Sequence, residues 1–429
     1  MMENTVCLKS ELDLFSNVPV QLAIDSSAFT EIQLVASLSD TSPIEFFISG
    51  NGDQYLDLAH TILHLQIKVV KKNGGNLATT DQVAPINYIL NTLFSELSVF
   101  LNDRQVSNQV NFSYRAFLDA LLFSSKSAQE AMLTSALFYK DTSGQFNTMG
   151  LNSTNLGFRE RQKLAAESKA LDLIGPLHMD IASQPRLLPN GVDVRIRLLK
   201  HKSEFALMSN SPDCKIVLQS ASLFVRKVNV APSIIIAQEK ALEHGSMKLP
   251  IRRVDVRTFS LANGLQSITI SNAFIGPLPY RIICGFVAND ALNGNLAKNP
   301  FNFSHYSLSY LSISDGNKMY PAKPYNPDFA SDSYARSYLS LFTNLNRYHN
   351  FQNININYIE YKNGYALHAI DLTPDFASNE SHTSVNESGN ISIDLKFKEA
   401  LSETVSLVVY SEFRNTIEID RSRSVFIDY

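Results

Sequence analysis

The sequence predicts an all-β chain: two tandem antiparallel β-sandwiches with a few short helices inserted. Three observations carry this. Apolar residues alternate with period two along much of the chain, the mark of half-buried strands. Helical periodicity is scarce, and the helical stretches sit between strands without alternating with them one for one, which rules against a doubly wound parallel sheet. The 429 residues also exceed one ordinary core and suit two domains of roughly 200 residues each.

Taken in order, "IEFFISGNGDQYLDL" (Ile44 to Leu58) is an apolar run, a break at Gly50-Asn51-Gly52-Asp53, and a second strand. A phosphate loop would feed a helix N-terminus, and here a strand follows. A calcium loop needs acids at alternate positions and a distal Glu, which Asp53 and Asp57 do not supply. The remaining use of Gly50 and Gly52 is φ > 0 in a tight connection of the first strand pair, with Asn51 suited to it. "HTILHLQIKVV" places Ile62, Leu63, Leu65, Ile67 and Val69 in a strand. "INYILNTLF" predicts a short helix. "SYRAFLDALLFSS" predicts a longer one, with Phe117, Leu118, Leu121 and Leu122 at helical spacing and Ser113 as its cap. "RERQKLAAESKALDL" (Arg159 to Leu173) is rich in helix formers and reads as a third.

"VDVRIRLL" returns to alternation through Val192, Val194, Ile196 and Leu198. The turn-forming "MSNSPD" (Met208 to Asp213) then marks the domain boundary. "SITISNAFIG" and "YRIICGFVAN" are strands either side of a break at Gly276 to Pro279. "NISIDLKFK" alternates most cleanly, with Ile391, Ile393, Leu395 and Phe397 on one face; "TVSLVVYSEF" and "TIEID" close the chain. The expected division is an N-terminal arm at 1–40, a first sandwich at 41–210 and a second at 211–429. Asn289 to Asn302, Asp315 to Phe329 and Pro374 to Gly389 read as long loops, which usually carry interaction.

Composition narrows the function. Hydrophobic content is 45%, charged content 18% and net charge −4, a globular chain without the basic balance of a broad nucleic-acid surface. Cys7, Cys214 and Cys284 lie too far apart for a zinc knuckle or a redox pair, and their odd number argues for reduced thiols. No stretch reads as a secretory signal, so the chain is expected to be made intracellularly. The Asn-x-Ser/Thr sequons are then by-products of Asn and Ser content. The longest apolar runs, such as Ser233 to Ala237, are far too short to span a membrane.

Chemistry-bearing patterns are nearly missing. There is no Walker-type loop, no Gly-x-Gly-x-x-Gly, no His-Glu-x-x-His and no Gly-x-Ser-x-Gly. His60 and His64 sit on a predicted strand, where a spacing of four places them about 13 Å apart, too far for one metal ion. Asp371, Asp375, Glu380 and Glu387 fall in a predicted loop as solvated charges. "RSR" (Arg421 to Arg423) ends a strand and suits a partner's carboxylates or a phosphate, or simply a strand end. "KNPFNFSHYSLSYLSIS" (Lys298 to Ser314) packs Phe301, Phe303, Tyr306 and Tyr310 among small polar residues. That pattern suits an interface or core, or else a carbohydrate or nucleobase platform. "SELDLF" (Ser10 to Phe15) has the acidic-apolar character of a short docking segment. No catalytic, cofactor-binding or metal-binding residue is assigned, and no cofactor is expected.

An ordered set of stretches carries a resemblance: "IEFFISGNGDQYLDLAHTILHLQIKV", "PINYILNTLFSELSVFLNDRQVS", "YRAFLDALLFSS", "GVDVRIRLLKHKSEFALM", "NPFNFSHYSLSYL" and "VVYSEFRNTIEIDRSRSVFIDY". From about residue 40 to the C-terminus they resemble the double jelly-roll major capsid proteins, of the type in Polinton/Maverick elements and adintoviruses, distantly hexon-like. The resemblance implies two tandem eight-stranded antiparallel jelly rolls, the first in 41–210 and the second in 211–429. It implies a structural protein and not an enzyme. Three copies would form a pseudo-hexagonal homotrimeric capsomer. Neighbouring capsomers would tile an icosahedral shell around double-stranded DNA, with a single jelly-roll penton protein at the vertices. The implied location is the virion, with a weak contact to packaged DNA and no membrane insertion. The chain is less than half the length expected of adenovirus hexon, so tall tower loops are reduced. The alternative function is a carbohydrate-binding or carbohydrate-active β-sandwich, for which the chain lacks any Trp platform.

Overall fold

A computed structural model describes residues 14, 20–39, 42–50, 52–211, 213–316, 318–348, 353–376, 378 and 384–427. Most of the "SELDLF" segment, Asn51, Glu380 and Cys7 lie outside these.

The first unit contains β1 (Ile24–Gln33), β2 (Ile44–Ile48), β3 (Gln54–Lys71), β4 (Val83–Pro85), β5 (Phe94–Leu101), β6 (Arg104–Val110), β7 (Ala170–Pro176), β8 (Val194–Lys200), β9 (Leu207–Ser209) and β10 (Cys214–Val230). Hydrogen bonding orders them β1-β10-β3-β7 in one sheet and β2-β8-β5-β6 in the other, with β4-β9 a small ribbon. The second unit contains β11 (Met247–Leu261), β12 (Ser267–Pro277), β13 (Arg281–Ala288), β14 (Leu308–Ser314), β15 (Met319–Tyr325), β16 (Leu367–Asp371), β17 (Ser388–Phe397) and β18 (Val405–Ile419), with β19 (Val425–Ile427) added beside β18. Its sheets run β11-β18-β13-β16 and β12-β17-β14-β15. Setting the ribbon and β19 aside, each unit has eight strands in the same spatial order. In both, the chain changes sheet between its first and second strands, its second and third, and its third and fourth. That is the jelly roll, made twice.

Alternation explains which face each strand buries. Leu63, Leu65, Ile67 and Val69 of β3 and Ile391, Ile393, Leu395 and Phe397 of β17 point into their cores. β18 differs, being buried on both faces from Val405 to Phe413. One face fills its own sandwich, while Tyr410 reaches Asp119 of the first unit.

Several expectations shift. β2 and β3 do not pair with each other; β2 pairs with β8, and β3 with β10 and β7. The Gly50 region is therefore a corner between sheets. Gly52 has the expected left-handed backbone at φ 100°, but Gly50 is required for a different reason: an added Cβ would overlap the backbone of Val192. Residues 24–33, inside the stretch assigned to an arm, form β1 along the edge of β10. The Met208 to Asp213 turn does not separate the sheets, because β10 follows it and pairs with β3 and β1. The chain leaves the first unit only after Val230, through the helix Pro232–Ala241.

The helix Phe112–Phe123 forms where periodicity places it, but Asn111, at φ 58°, occupies the N-cap position and Ser113 lies inside. The expected helix at Arg159 to Leu173 is the helix Leu156–Ala165, a 3-10 turn and then β7. Sheet pairing of Ala170–Pro176 with β3 overrides helix propensity there. β15 lies within the stretch 315–329 read as a loop.

Candidate functional site: the seam between the two jelly rolls

The residues flagged for chemistry do not converge. His60 Nδ1 lies 2.8 Å from Asp57 and His64 Nε2 lies 2.7 Å from Asp172, so the two rings meet different carboxylates. Among the described residues, no group of three or more His, Cys, Asp or Glu is placed to hold a metal. Asp371 is buried and accepts from the Thr373 backbone at 2.9 Å and hydroxyl at 2.6 Å, a turn-fixing role. Glu387 pairs with Lys318 on the surface at 3.6 Å. In the "RSR" stretch, Arg421 pairs with Glu243 at 3.5 Å. Arg423 reaches Glu239 at 2.5 Å and Asn190 at 3.0 Å, tying the end of the second unit to the linking helix and to the first unit.

The aromatic segment divides: Phe301 and Phe303 turn inward, while Tyr306, donating to Glu403 at 3.0 Å, and Tyr310, under the Lys396 ammonium, are half-buried. Phe301 and Phe303 are fully buried. Phe301 stacks on Phe117 of the first unit with centroids 4.1 Å apart and planes 7° from parallel, and Tyr114 meets it edge-on at 5.5 Å. Tyr114 donates to the Pro300 carbonyl at 3.0 Å, and Tyr365 donates across to the Asp141 carbonyl at 2.7 Å. These rings belong to the seam, where stacked and edge-on pairs add to burial.

Next to them lies a cluster no sequence motif announced. Arg115 of the helix Phe112–Phe123 pairs with Asp180 at 2.7 Å and with Asp119 at 3.4 Å. From the other side, Arg252 of β11 spans Asp119 (3.5 Å) and Glu412 of β18 (3.0 Å), and Arg281 of β13 closes on Glu412 at 2.5 Å. Tyr410 donates to Asp119 at 2.7 Å. His178, 3.2 Å from Asp119, is also held by Tyr88 at 2.9 Å. Three guanidiniums thus face three carboxylates inside the seam, with the His178 ring beside them.

Burial alone would raise the Asp119 carboxyl, but Arg252, His178 and Arg115 hold it far below the ordinary range. Glu412 shows the same contest: burial raises it, and Arg281 and Arg252 win, leaving it lowered. Both stay ionised. The guanidiniums of Arg252 and Arg281 also sit 5.2 and 5.1 Å from the Phe123 ring.

The seam also covers a strand edge. β11 ends its sheet, and an uncovered edge is a template for unwanted pairing. The Val254 N–H donates to Asp180 at 3.2 Å and the Arg252 N–H to Ser183 at 2.9 Å. The Val256 carbonyl accepts from Asn111 at 3.0 Å. First-unit side chains therefore stand where another strand would lie. The sequence did hold one signal: Arg115 and Asp119 are charges four apart in an otherwise apolar helix, and Glu412 interrupts an apolar strand.

No family model matches the chain. An uncharacterized protein of Caenorhabditis elegans is 26% identical, covering 95% of this chain and 98% of its own. Among solved structures, the chain is similar to one in the Sputnik virophage, with a TM-score of 0.67 at 11% identity over 100% of this chain and 93% of that one. The Faustovirus major capsid protein gives 0.64 at 10% identity over 96% and 92%. The mavirus major capsid protein gives 0.51 at 11% identity over 100% and 96%. At such identities the likeness establishes the fold: this chain has the double jelly-roll fold found in viral major capsid proteins. Among the described residues, no helix is long and apolar enough to cross a membrane.

Proposed function

We propose that the chain is a major capsid protein: a structural component, not an enzyme, located in the virion. The observation that carries this is the pair of eight-stranded jelly rolls with identical strand order, locked together by a buried seam. Two similar blocks at a fixed relation, copied three times, give six near-equivalent edges from one gene product. The capsomer is accordingly a pseudo-hexagonal homotrimer. Its neighbours tile an icosahedral shell around double-stranded DNA, with a single jelly-roll penton protein at the vertices and a weak inner contact to DNA. The Polinton/Maverick–adintovirus type is the kinship that the ordered sequence stretches support best. The division into units follows the sheets, with the first ending at Val230. The carbohydrate reading keeps only the half-buried Tyr306 and Tyr310 of its four rings, since Phe301 and Phe303 are buried.

Light scattering of the purified protein, with negative-stain microscopy, tests this. The expected mass is three times 47.9 kDa, with threefold particles that pack into hexagonal arrays when concentrated. A monomer at all concentrations overturns it.

A further inference from the structure

The helix Pro232–Ala241 has no buried residue, and Ile236 within it is 69% exposed. Polar ties pin it instead: Tyr55 donates to Gln238 at 2.7 Å, and Glu239 pairs with Arg423. Beneath it opens a cavity of about 600 Å³ whose walls include Ile24, Tyr55, Leu187, Val230, Ile234 and Leu249. Ala23, where the chain enters β1, is at its lip. Val20 and Leu22 just upstream are 77% and 79% exposed. Arg186 and Lys248 also line the cavity. Arg186 donates to the Lys248 carbonyl at 2.5 Å and makes no carboxylate pair among the described residues. The nearby acids Glu239 and Glu243 are already taken by Arg423 and Arg421.

Upstream runs Ser10-Glu11-Leu12-Asp13-Leu14-Phe15: three large apolar side chains spaced by two carboxylates. The cavity is in the size range of pockets that bury a ligand of that bulk. Leu14 is 77% exposed, so it is not seated in its own chain's cavity. Phe15 and Ala23 are eight positions apart, a reach of about 26–29 Å when extended, enough to leave the molecule.

We propose that this cavity receives Leu12, Leu14 and Phe15 from the N-terminal segment of a second copy, with Glu11 and Asp13 meeting Arg186 at its mouth, where Lys248 already pairs with Glu418 at 3.5 Å. The inference rests on the capsid reading only in supposing that copies stand side by side.

Paired cysteines test it. In full-length chains carrying Cys7→Ser, one tagged copy bears Leu14→Cys and a differently tagged, co-expressed copy bears Ala241→Cys. Ala241 lines the cavity and is exposed, and Cys214 and Cys284 are buried out of reach. Mild oxidation is expected to give the mixed disulfide as the main product, reduced at least tenfold by Arg186→Glu or Phe15→Asp. No mixed disulfide, or an internal 14–241 disulfide in a chain carrying both cysteines, overturns the proposal. Light scattering of the same samples separates the two readings. A trimer without the mixed disulfide sinks the docking and leaves the capsid reading, whereas a mixed disulfide without a trimer supports the docking and sinks the trimer.

Discussion

Gly50 has no room for a side chain, while Gly52 has room but the wrong backbone for one. Gly50→Val must push the Val192 backbone aside and is expected to cost on the order of 3 kcal/mol, enough to lose soluble protein. Gly52→Val meets only the left-handed backbone and is expected to cost about 1–2 kcal/mol; urea melts of the pair would order them. At the seam, Glu412→Gln leaves Arg252 and Arg281 without their shared carboxylate and is expected to cost about 3–5 kcal/mol. Protonation does the same job. Asp119 and Glu412 titrate lower in the folded chain than in the unfolded one. Their contribution is full above the ordinary carboxylate range and drains away as pH falls below it. The melting temperature should therefore drop steeply below about pH 4.5, and less steeply in Glu412→Gln. Histidines act earlier. Burial pushes His201 and His368 down to about 3, so below about pH 6.5 the unfolded chain binds protons that the folded one refuses. Stability should already decline between pH 6.5 and 5, and replacing both with Gln should reduce that slope to the share of His305, which burial also pushes down, to about 4.

Strand β1 matters less for what it buries than for what it covers. Most of its residues face solvent, yet it pairs along β10 from Ile24 to Gln33. Removing residues 1–33 would leave β10 as a bare edge, and such edges aggregate; removing residues 1–19 would not. Soluble yield and light scattering of the two truncations should differ sharply. β1 was hard to read because "IDSSAFTEIQ" buries neither face fully, so period two has nothing to mark. β17 was plain because one face is core and the other is wet. The stretch that forms β7 has helical composition, since Ala, Leu, Lys and Glu favour a helix, and only its pairing with β3 decides otherwise. The turn at Met208 to Asp213 has boundary chemistry but joins strands of one unit, and turn residues cannot say which sheet the next strand enters. The helix Pro232–Ala241 was visible only as an apolar run, its role depending on the two units it connects.

At the scale of the molecule, the all-β class and the duplicated plan were legible, because alternation and length are properties of the chain itself. The seam was not, since its charges come from five separate stretches that only the fold assembles: Arg115 and Asp119, Asp180, Arg252, Arg281, and Glu412. Both readings of the Phe301 segment were open in sequence, and Phe117 on the opposite unit chose between them. The assembled protein is expected to melt in one transition, the two units together, because Phe301→Ala removes a ring shared by both and should lower that single midpoint; calorimetry showing two separate transitions would contradict it. The paired guanidiniums and carboxylates also have a mechanical meaning. Two greasy faces can slide over each other at little cost, whereas contacts of 2.5–3.5 Å between opposite charges are lost within a small displacement. The hinge one would expect between two tandem barrels is therefore stiff. Any curved lattice built from this chain must find its bend at the joints between molecules, since each molecule moves as one inflexible body.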